Sequence, residues 1–297
     1  MFNKLLIIGC GLIGSSILRA SIKKKIAKKY FVYEKSIKNN STIKKINSKV
    51  ILLKKLDHNI SDIDFIILST PMSSYSRIIT SLNKFLTNKA IITDVGSTKK
   101  NVLKLKKNKL HKSLNWILSH PIAGSEVSGP EYGKANLFNN RWCIITKQKT
   151  DKKVEKVERF WKKIGCKVIF MNPEEHDKIF AITSHLPHLI AYNLIKTAQD
   201  FQHKERKNLI KFSAGGLRDF SRTAASNEIM WRDIFFNNKN NVSKAIDLFV
   251  KSLNAFKKDI NSKNNKLILK KLIQTKKVRS KIIKLKQDID KPDFGRD

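Results

Sequence analysis

Over roughly the first 170 residues, short apolar runs alternate with stretches of helical periodicity. The β-rich runs are Lys4–Ile8, Tyr30–Glu34, Val50–Leu53, Phe65–Ser69, Ala90–Asp94, Asn115–Ser119, Trp142–Thr146 and Lys167–Phe170. Several are continuously apolar, as in LLII and FIIL, the pattern of strands buried on both faces. Strands of this kind separated by helices predict a doubly wound, mainly parallel sheet, with the last two strands as an extension of it. From Asn172 onward strand signals stop and long helical patterns run to about residue 290. Asn172-Pro173-Glu174-Glu175 places an Asn cap, a Pro at the first helical position and two acids in the first turn, which predicts a helix start. Pro187 inside that helix predicts a kink. The final Lys-rich helices, from Lys263 to Asp288, carry one apolar stripe of Leu267, Leu272, Ile282 and Leu285.

The first strand runs into Gly9-Cys10-Gly11-Leu12-Ile13-Gly14 and then a helix. In such a turn Gly9 permits the tight bend, Gly11 lets a pyrophosphate approach the backbone, and Gly14 lets helix and strand pack closely. The free N–H groups of the helix start then face the anion. Glu34 closes the second strand twenty residues after Gly14. A carboxylate there accepts hydrogen bonds from ribose hydroxyls and repels a 2′-phosphate, so NAD is expected over NADP, although Lys35 works against that preference. A glycine turn kept only for packing is the alternative, and the strand–turn–helix context argues against it. Residues 1–172 are therefore expected to be an NAD-binding Rossmann-like domain, and 173–297 an all-α domain for substrate binding and dimerisation.

Ligands of open α/β sheets bind beyond the carboxyl ends of the strands. Three strands end there in polar clusters: Ser69, Thr70 and Pro71; then Asp94, Gly96, Ser97, Thr98 and Lys99; then His120, Gly124, Ser125 and Glu126. His120 precedes a Pro and opens a Gly/Ser loop, and an imidazole can take a proton from a substrate hydroxyl near neutral pH. Ser97 could orient that same hydroxyl. In the helical half, His185 and His188 share a helix face, but no third ligand of suitable spacing makes them a metal pair. The segment GGLRDFSRTAASNEIMWRDIF gathers Arg218, Asp219, Arg222, Trp231, Arg232 and Asp233 in a chain that otherwise uses Lys. Arg pairs with carboxylates in a bidentate way that Lys cannot, which implies a carboxylate-bearing substrate; an internal Arg–Asp brace between helices is the other reading.

Charge changes the picture less than its size suggests. The 61 basic and 24 acidic residues give +37, which invites a nucleic-acid or membrane partner. The excess is almost all Lys and scattered, however, with no module of Arg and stacking aromatics, so compositional drift is the preferred reading and neither partner is expected. Cys10, Cys143 and Cys166 are widely spaced and odd in number, which suits a reducing compartment. Four apolar residues between Lys4 and Gly9 are too few for a signal peptide, and no run reaches the length of a membrane span. A cytoplasmic protein is expected.

Taken in order, GCGLIGSS, STPMSSY, TDVGSTK, HPIAGSEVSGPEY, NRWCIIT, SHLPHLIAY and GGLRDFSRTAASNEIMWRDIF closely resemble the prephenate/arogenate (cyclohexadienyl) dehydrogenase family. The closing KPDFGR resembles the ending of some bacterial forms. The resemblance implies oxidative decarboxylation of prephenate or arogenate with hydride transfer to NAD, on the route to tyrosine, in a homodimer. It implies His120 and Ser97 as catalytic residues at the C4 hydroxyl, Arg222 as the carboxylate ligand, and Asp219, His188, Glu126 and Trp231 around the substrate. Gly9, Gly11, Leu12, Ile13, Gly14, Glu34, Thr70 and Pro71 would hold the dinucleotide. Nothing before Lys4 reads as a fused mutase and nothing after residue 260 as an αβ regulatory domain, so tyrosine inhibition would act at or near the active site. Two rival readings are a dehydrogenase for β-hydroxyacids or imines, which should lack the HPIAGSE loop, and a non-enzymatic nucleic-acid binder, which should bind in a salt-sensitive way.

Overall fold

The computed structural model describes residues 2–146, 151–205, 208 and 210–285. The KPDFGR motif and the last residues of the helical stretch predicted to reach Asp288 lie outside the described residues. Six parallel strands, β1 (Phe2–Ile8), β2 (Ala27–Tyr33), β3 (Ile51–Leu53), β4 (Phe65–Leu68), β5 (Ile91–Asp94) and β6 (Asn115–Ile117), form one sheet in the order β3-β2-β1-β4-β5-β6. Alternation along each strand feeds two cores. Leu5 and Ile7 of β1 point to one face with Phe65, Ile67 and Ile117, while Leu6 and Ile8 point to the other with Ile66, Leu68, Ile92 and Trp116.

Helices cover both faces. The first core is closed by Ile17 and Leu18 of α1 (Leu12–Lys23) and by Val154, Val157, Phe160 and Trp161 of α5 (Lys152–Lys163). The second is closed by Tyr75, Ile78, Ile79 and Leu82 of α3 (Tyr75–Phe85) and Val102 of α4 (Lys100–Lys109). The short α2 (Asn40–Ile46) lies between β2 and β3 in sequence.

Two sequence expectations are corrected. The sixth run, Asn115–Ser119, is two strands: β6 ends at Ile117, and β7 (Ser119–Pro121) pairs antiparallel with β8 (Trp142–Thr146), which pairs parallel with β9 (Lys167–Met171). The last two runs therefore join β7 in a separate three-stranded sheet, in the order β7-β8-β9, and do not extend the main one. The cause is local. The Asp94 carboxylate takes the Ser119 N–H at 3.2 Å, and the Ser119 carbonyl is taken by Lys99 Nζ at 2.6 Å. With both backbone groups of Ser119 committed to side chains, pairing with β5 stops and the chain turns to β8.

After Asn172, whose side chain caps α6 (Pro173–Phe180) by accepting the Glu174 N–H at 2.9 Å, the described residues contain no strand. The kink expected at Pro187 takes the form of a π-helical turn, Ala181–His185, leading into α7 (Leu186–Glu205). Pro187 has no N–H, and its ring would collide with a carbonyl of the preceding turn of a regular helix; the wider turn relieves both problems. The helices α8 (Gly215–Ala224), α9 (Glu228–Asn237), α10 (Lys239–Asn261) and α11 (Asn265–Lys284) follow. The chain divides into two compact units, Met1–Val242 and Ser243–Asp297. In the second, Asn264 caps α11, and Lys271 pairs with Asp259 at 2.6 Å while lying over the Phe256 ring.

Candidate active site

At the carboxyl end of β1, Gly9 and Gly14 sit where no side chain fits, and Gly11 lies open. Gly9 has φ +87, in the left-handed region, and a Cβ there would sit 2.9 Å from the Ser69 carbonyl carbon. A Cβ on Gly14 would lie 2.1 Å from the Gly9 carbonyl oxygen, so only glycine lets α1 pack this close. A Cβ on Gly11 would meet nothing within 4 Å, leaving the backbone open to a ligand. Leu12 and Ile13 follow as the first residues of α1. The Glu34 carboxylate accepts the Cys10 N–H at 2.7 Å and the Ser36 N–H at 2.9 Å, which anchors it at the rim of the turn with lone pairs to spare. Thr70 Oγ1, beside Gly9, is buried without a hydrogen-bond partner, and Pro71 starts the next turn. An open backbone, a carboxylate at the rim and an unsatisfied hydroxyl fit a dinucleotide.

At the end of β5 lies a buried ionic cluster. Lys99 Nζ is 2.6 Å from Asp94 Oδ2, and Asp94 also accepts from the Gly96 N–H at 3.0 Å and Trp116 Nε1 at 3.3 Å. Ser119 Oγ donates to the Asp94 carbonyl at 2.6 Å and accepts from Trp161 Nε1 at 3.1 Å. This cluster ends β6 and delivers the next residue, His120, to the site.

His120 is buried, in β7 opposite Ile144. Its Nδ1 lies 2.9 Å from His176 Nε2, and His176 Nδ1 lies 2.8 Å from Asp177 Oδ1. The Phe180 ring packs against both imidazoles. Burial first, then the neighbouring His176, Lys99 and His185, hold His120 well below the usual imidazole pKa. Asp177 ties α6 to the start of α4 by accepting the backbone N–H groups of Lys99 at 2.8 Å and Lys100 at 3.0 Å. Asn238 donates to the Asp177 carbonyl at 2.7 Å and contacts His185 Nδ1 at 3.1 Å. Burial lowers His185 to about 4. Ser97 lies on the same loop as Lys99, and its backbone faces His185.

On the helical side, Arg222 pairs with Glu126 at 3.2 Å, joining α8 to the loop after β7. His188 Nδ1 donates to the Ser184 carbonyl at 2.9 Å, and its ring stacks on Trp231 with centroids 3.8 Å apart. Trp231 is buried, and its Nε1 has no hydrogen-bond partner. Asp219 is one turn before Arg222 on α8. The Arg–Asp brace weighed as an alternative is present too, one helix later: Arg232 holds Asp233 at 2.7 Å, and Asp233 accepts the Ser73 N–H at 2.8 Å, pinning α9 to the loop after β4. His185 and His188 have different partners, Asn238 and Ser184.

Sequence reasoning missed His176, Asp177 and Asn238. Their signal was faint: a His-Asp pair one turn after a strong helix cap, on the buried face of that helix, where both residues are almost fully enclosed.

Residues 19–170 match the family model described as prephenate dehydrogenase, nucleotide-binding domain, and residues 172–275 match prephenate dehydrogenase, dimerization domain. The chain is similar to a cyclohexadienyl dehydrogenase of Zymomonas mobilis, 30% identical over 98% of each chain. It is similar to a prephenate dehydrogenase of Bacillus subtilis, 32% identical over 85% of this chain and 69% of that one. Among solved structures it resembles prephenate dehydrogenase of Aquifex aeolicus in complex with hydroxyphenyl propionate and NAD+, with 35% identity, a TM-score of 0.87, and coverage of 95% and 99% of the two chains.

Proposed function

The chain belongs to the prephenate dehydrogenase family and is an NAD-dependent oxidoreductase for prephenate, arogenate or both, and from that premise we propose how its residues divide the work. When bound, NAD supplies the hydride acceptor for C4 of the substrate ring. Loss of the ring carboxylate as carbon dioxide aromatises the product and makes the reaction strongly downhill. The protein is left to position the ring, take the hydroxyl proton and hold the anions.

His120 takes that proton. The observation that carries this role is its position beyond the sheet's carboxyl edge, where Nδ1 is engaged by His176 and burial disfavours the imidazolium, so that a neutral ring offers a lone pair to the hydroxyl. Ser97 assists at the same hydroxyl. Arg222 binds a substrate carboxylate. Its pair with Glu126 is partly exposed, and such pairs are worth about 0–1 kcal/mol, so exchanging Glu126 for a substrate anion costs little. Asp219 and His188 complete the polar surroundings, and Glu126 and Trp231 border them. Gly9, Gly11, Leu12, Ile13 and Gly14 carry the pyrophosphate, with Glu34 on the ribose and Thr70 and Pro71 beside it.

Residues 1–172 serve as the dinucleotide domain and 173–297 as the helical domain for substrate and dimerisation. Exposed apolar side chains such as Ile182, Phe212 and Phe220 support a homodimer. Three buried free cysteines support a cytoplasmic site of action. Scattered lysines support the absence of a nucleic-acid partner, and among the described residues no helix is long and apolar enough to cross a membrane. The test is NADH formation with prephenate and arogenate offered separately. Turnover with at least one is expected, and none from folded, NAD-binding protein would overturn the reading.

A further inference from the structure

We infer that His176 and Asp177 are positioning residues that fix the tautomer of His120, holding its proton on Nδ1 and its lone pair on Nε2. The inference rests on the role proposed for His120. It follows from counting donors and acceptors along one buried line. The Asp177 carboxylate already accepts two backbone N–H groups, Lys99 on Oδ1 at 2.8 Å and Lys100 on Oδ2 at 3.0 Å. A carboxylate so engaged is an acceptor, so the 2.8 Å contact with His176 places the proton on His176 Nδ1. A neutral imidazole has one N–H, so His176 Nε2 bears a lone pair. His120 Nδ1, 2.9 Å away, must then be the donor, and its Nε2 is left as the acceptor.

His176 is neutral because burial outweighs Asp177, which favours the charge, and the Lys99 ammonium opposes it. The groups facing the two rings are Lys99, Asp94, Asp177 and His185, and Phe180 closes the remaining side. Asp177 is fixed in turn by its backbone, since Asn238 donates to its carbonyl at 2.7 Å. The line therefore runs from a carboxylate held by the start of α4, through His176, to the ring whose Nε2 is left for substrate.

The tautomer matters because a hydroxyl can give its proton only to a lone pair. With the opposite tautomer His120 would present an N–H, and the substrate hydroxyl could only accept from it. With the assigned one, the substrate O–H bond breaks as the Nε2–H bond forms, and no other covalent bond to hydrogen changes in either imidazole. The charge gained by His120 is met by its own Nδ1–H bond to His176, which Asp177 polarises. After carbon dioxide leaves, the same proton returns to the phenolic oxygen. One dianion of prephenate and one oxidised cofactor become a monoanion, carbon dioxide and the reduced cofactor, with no net proton taken up or released.

The experiment is a long-range proton–nitrogen correlation spectrum of the ligand-free, histidine-labelled full chain near neutral pH, with His176→Ala and His176→Gln compared in the spectrum and in turnover. The expected wild-type result is a protonated Nδ1 and an unprotonated Nε2 at His120. His176→Ala should release that preference and lower kcat by about a hundredfold, as for a misdirected acid–base group, with NAD affinity unchanged. His176→Gln can accept from His120 and donate to Asp177, so it should restore the tautomer and most of the turnover. A wild-type His120 protonated on Nε2 would overturn the inference, as would an alanine variant with unchanged tautomer and rate. If the variants do not fold, the wild-type spectrum decides alone. Because that spectrum needs no substrate, it separates failure of this inference from failure of the assigned reaction, which turnover reports.

Discussion

Lys99 Nζ lies 2.6 Å from Asp94 Oδ2, with the two side chains 1% and 0% exposed. A buried pair of this kind adds little over an apolar replacement of both members, but breaking it by removing one partner typically costs about 3–5 kcal/mol. Here the pair also ends β6, because Lys99 holds the Ser119 carbonyl and Asp94 the Ser119 N–H. Lys99→Met is expected to lower unfolding free energy by about that amount in urea titrations. It should also lower kcat, since the strand that carries His120 loses its anchor. A stability change below about 1 kcal/mol would mean that the cluster is not a structural brace.

Arg222 is the carboxylate ligand in this account, and its side chain is 62% exposed beside Glu126. Arg222→Gln removes a charge-assisted contact worth about 1.5–3 kcal/mol to bound substrate, so KM should rise about ten- to a hundredfold. Stability should move by less than about 1 kcal/mol, because the pair it loses is solvent-screened. A fall in kcat with unchanged KM, measured by steady-state NADH formation, would assign Arg222 to bracing instead.

Burial keeps His120, His176 and His185 below their ordinary pKa, His185 at about 4 against 6.5. Between those values the unfolded chain binds more protons than the folded one, so stability falls as the pH drops below about 6.5. The loss continues until the folded group also protonates. For His185 alone the window from 6.5 to about 4 corresponds to roughly 3 kcal/mol. Above about 6.5 these histidines contribute no slope. Denaturant titrations across this range test the expectation, and a flat profile would contradict the buried, neutral state of the cluster.

Much of the fold is legible in the sequence because its signals are local. Apolar runs such as FIIL identify strands covered on both faces, and Gly9, Gly11 and Gly14 each have a backbone reason visible from spacing alone. Asn172-Pro173 announces its helix for the same reason. What escaped is what depends on side chains meeting across the fold. The break after Ile117 arises because Asp94 and Lys99, from another strand end, capture the backbone of Ser119. His120 was legible as a strand-end imidazole, but its link to His176 spans 56 residues, and no local pattern joins them. Arg232 and Asp233 looked as eligible for substrate as Arg218 and Arg222. Only the contact with Ser73 marks that pair as a brace.

The most direct test of the account is NADH formation by His120→Asn beside the wild type, with NAD affinity measured separately by titration. Loss of a positioned proton acceptor should lower kcat by at least about a hundredfold while the NAD dissociation constant changes little, since the glycine turn is untouched. Near-normal turnover from the folded variant would remove His120 from the chemistry and contradict the account at its centre.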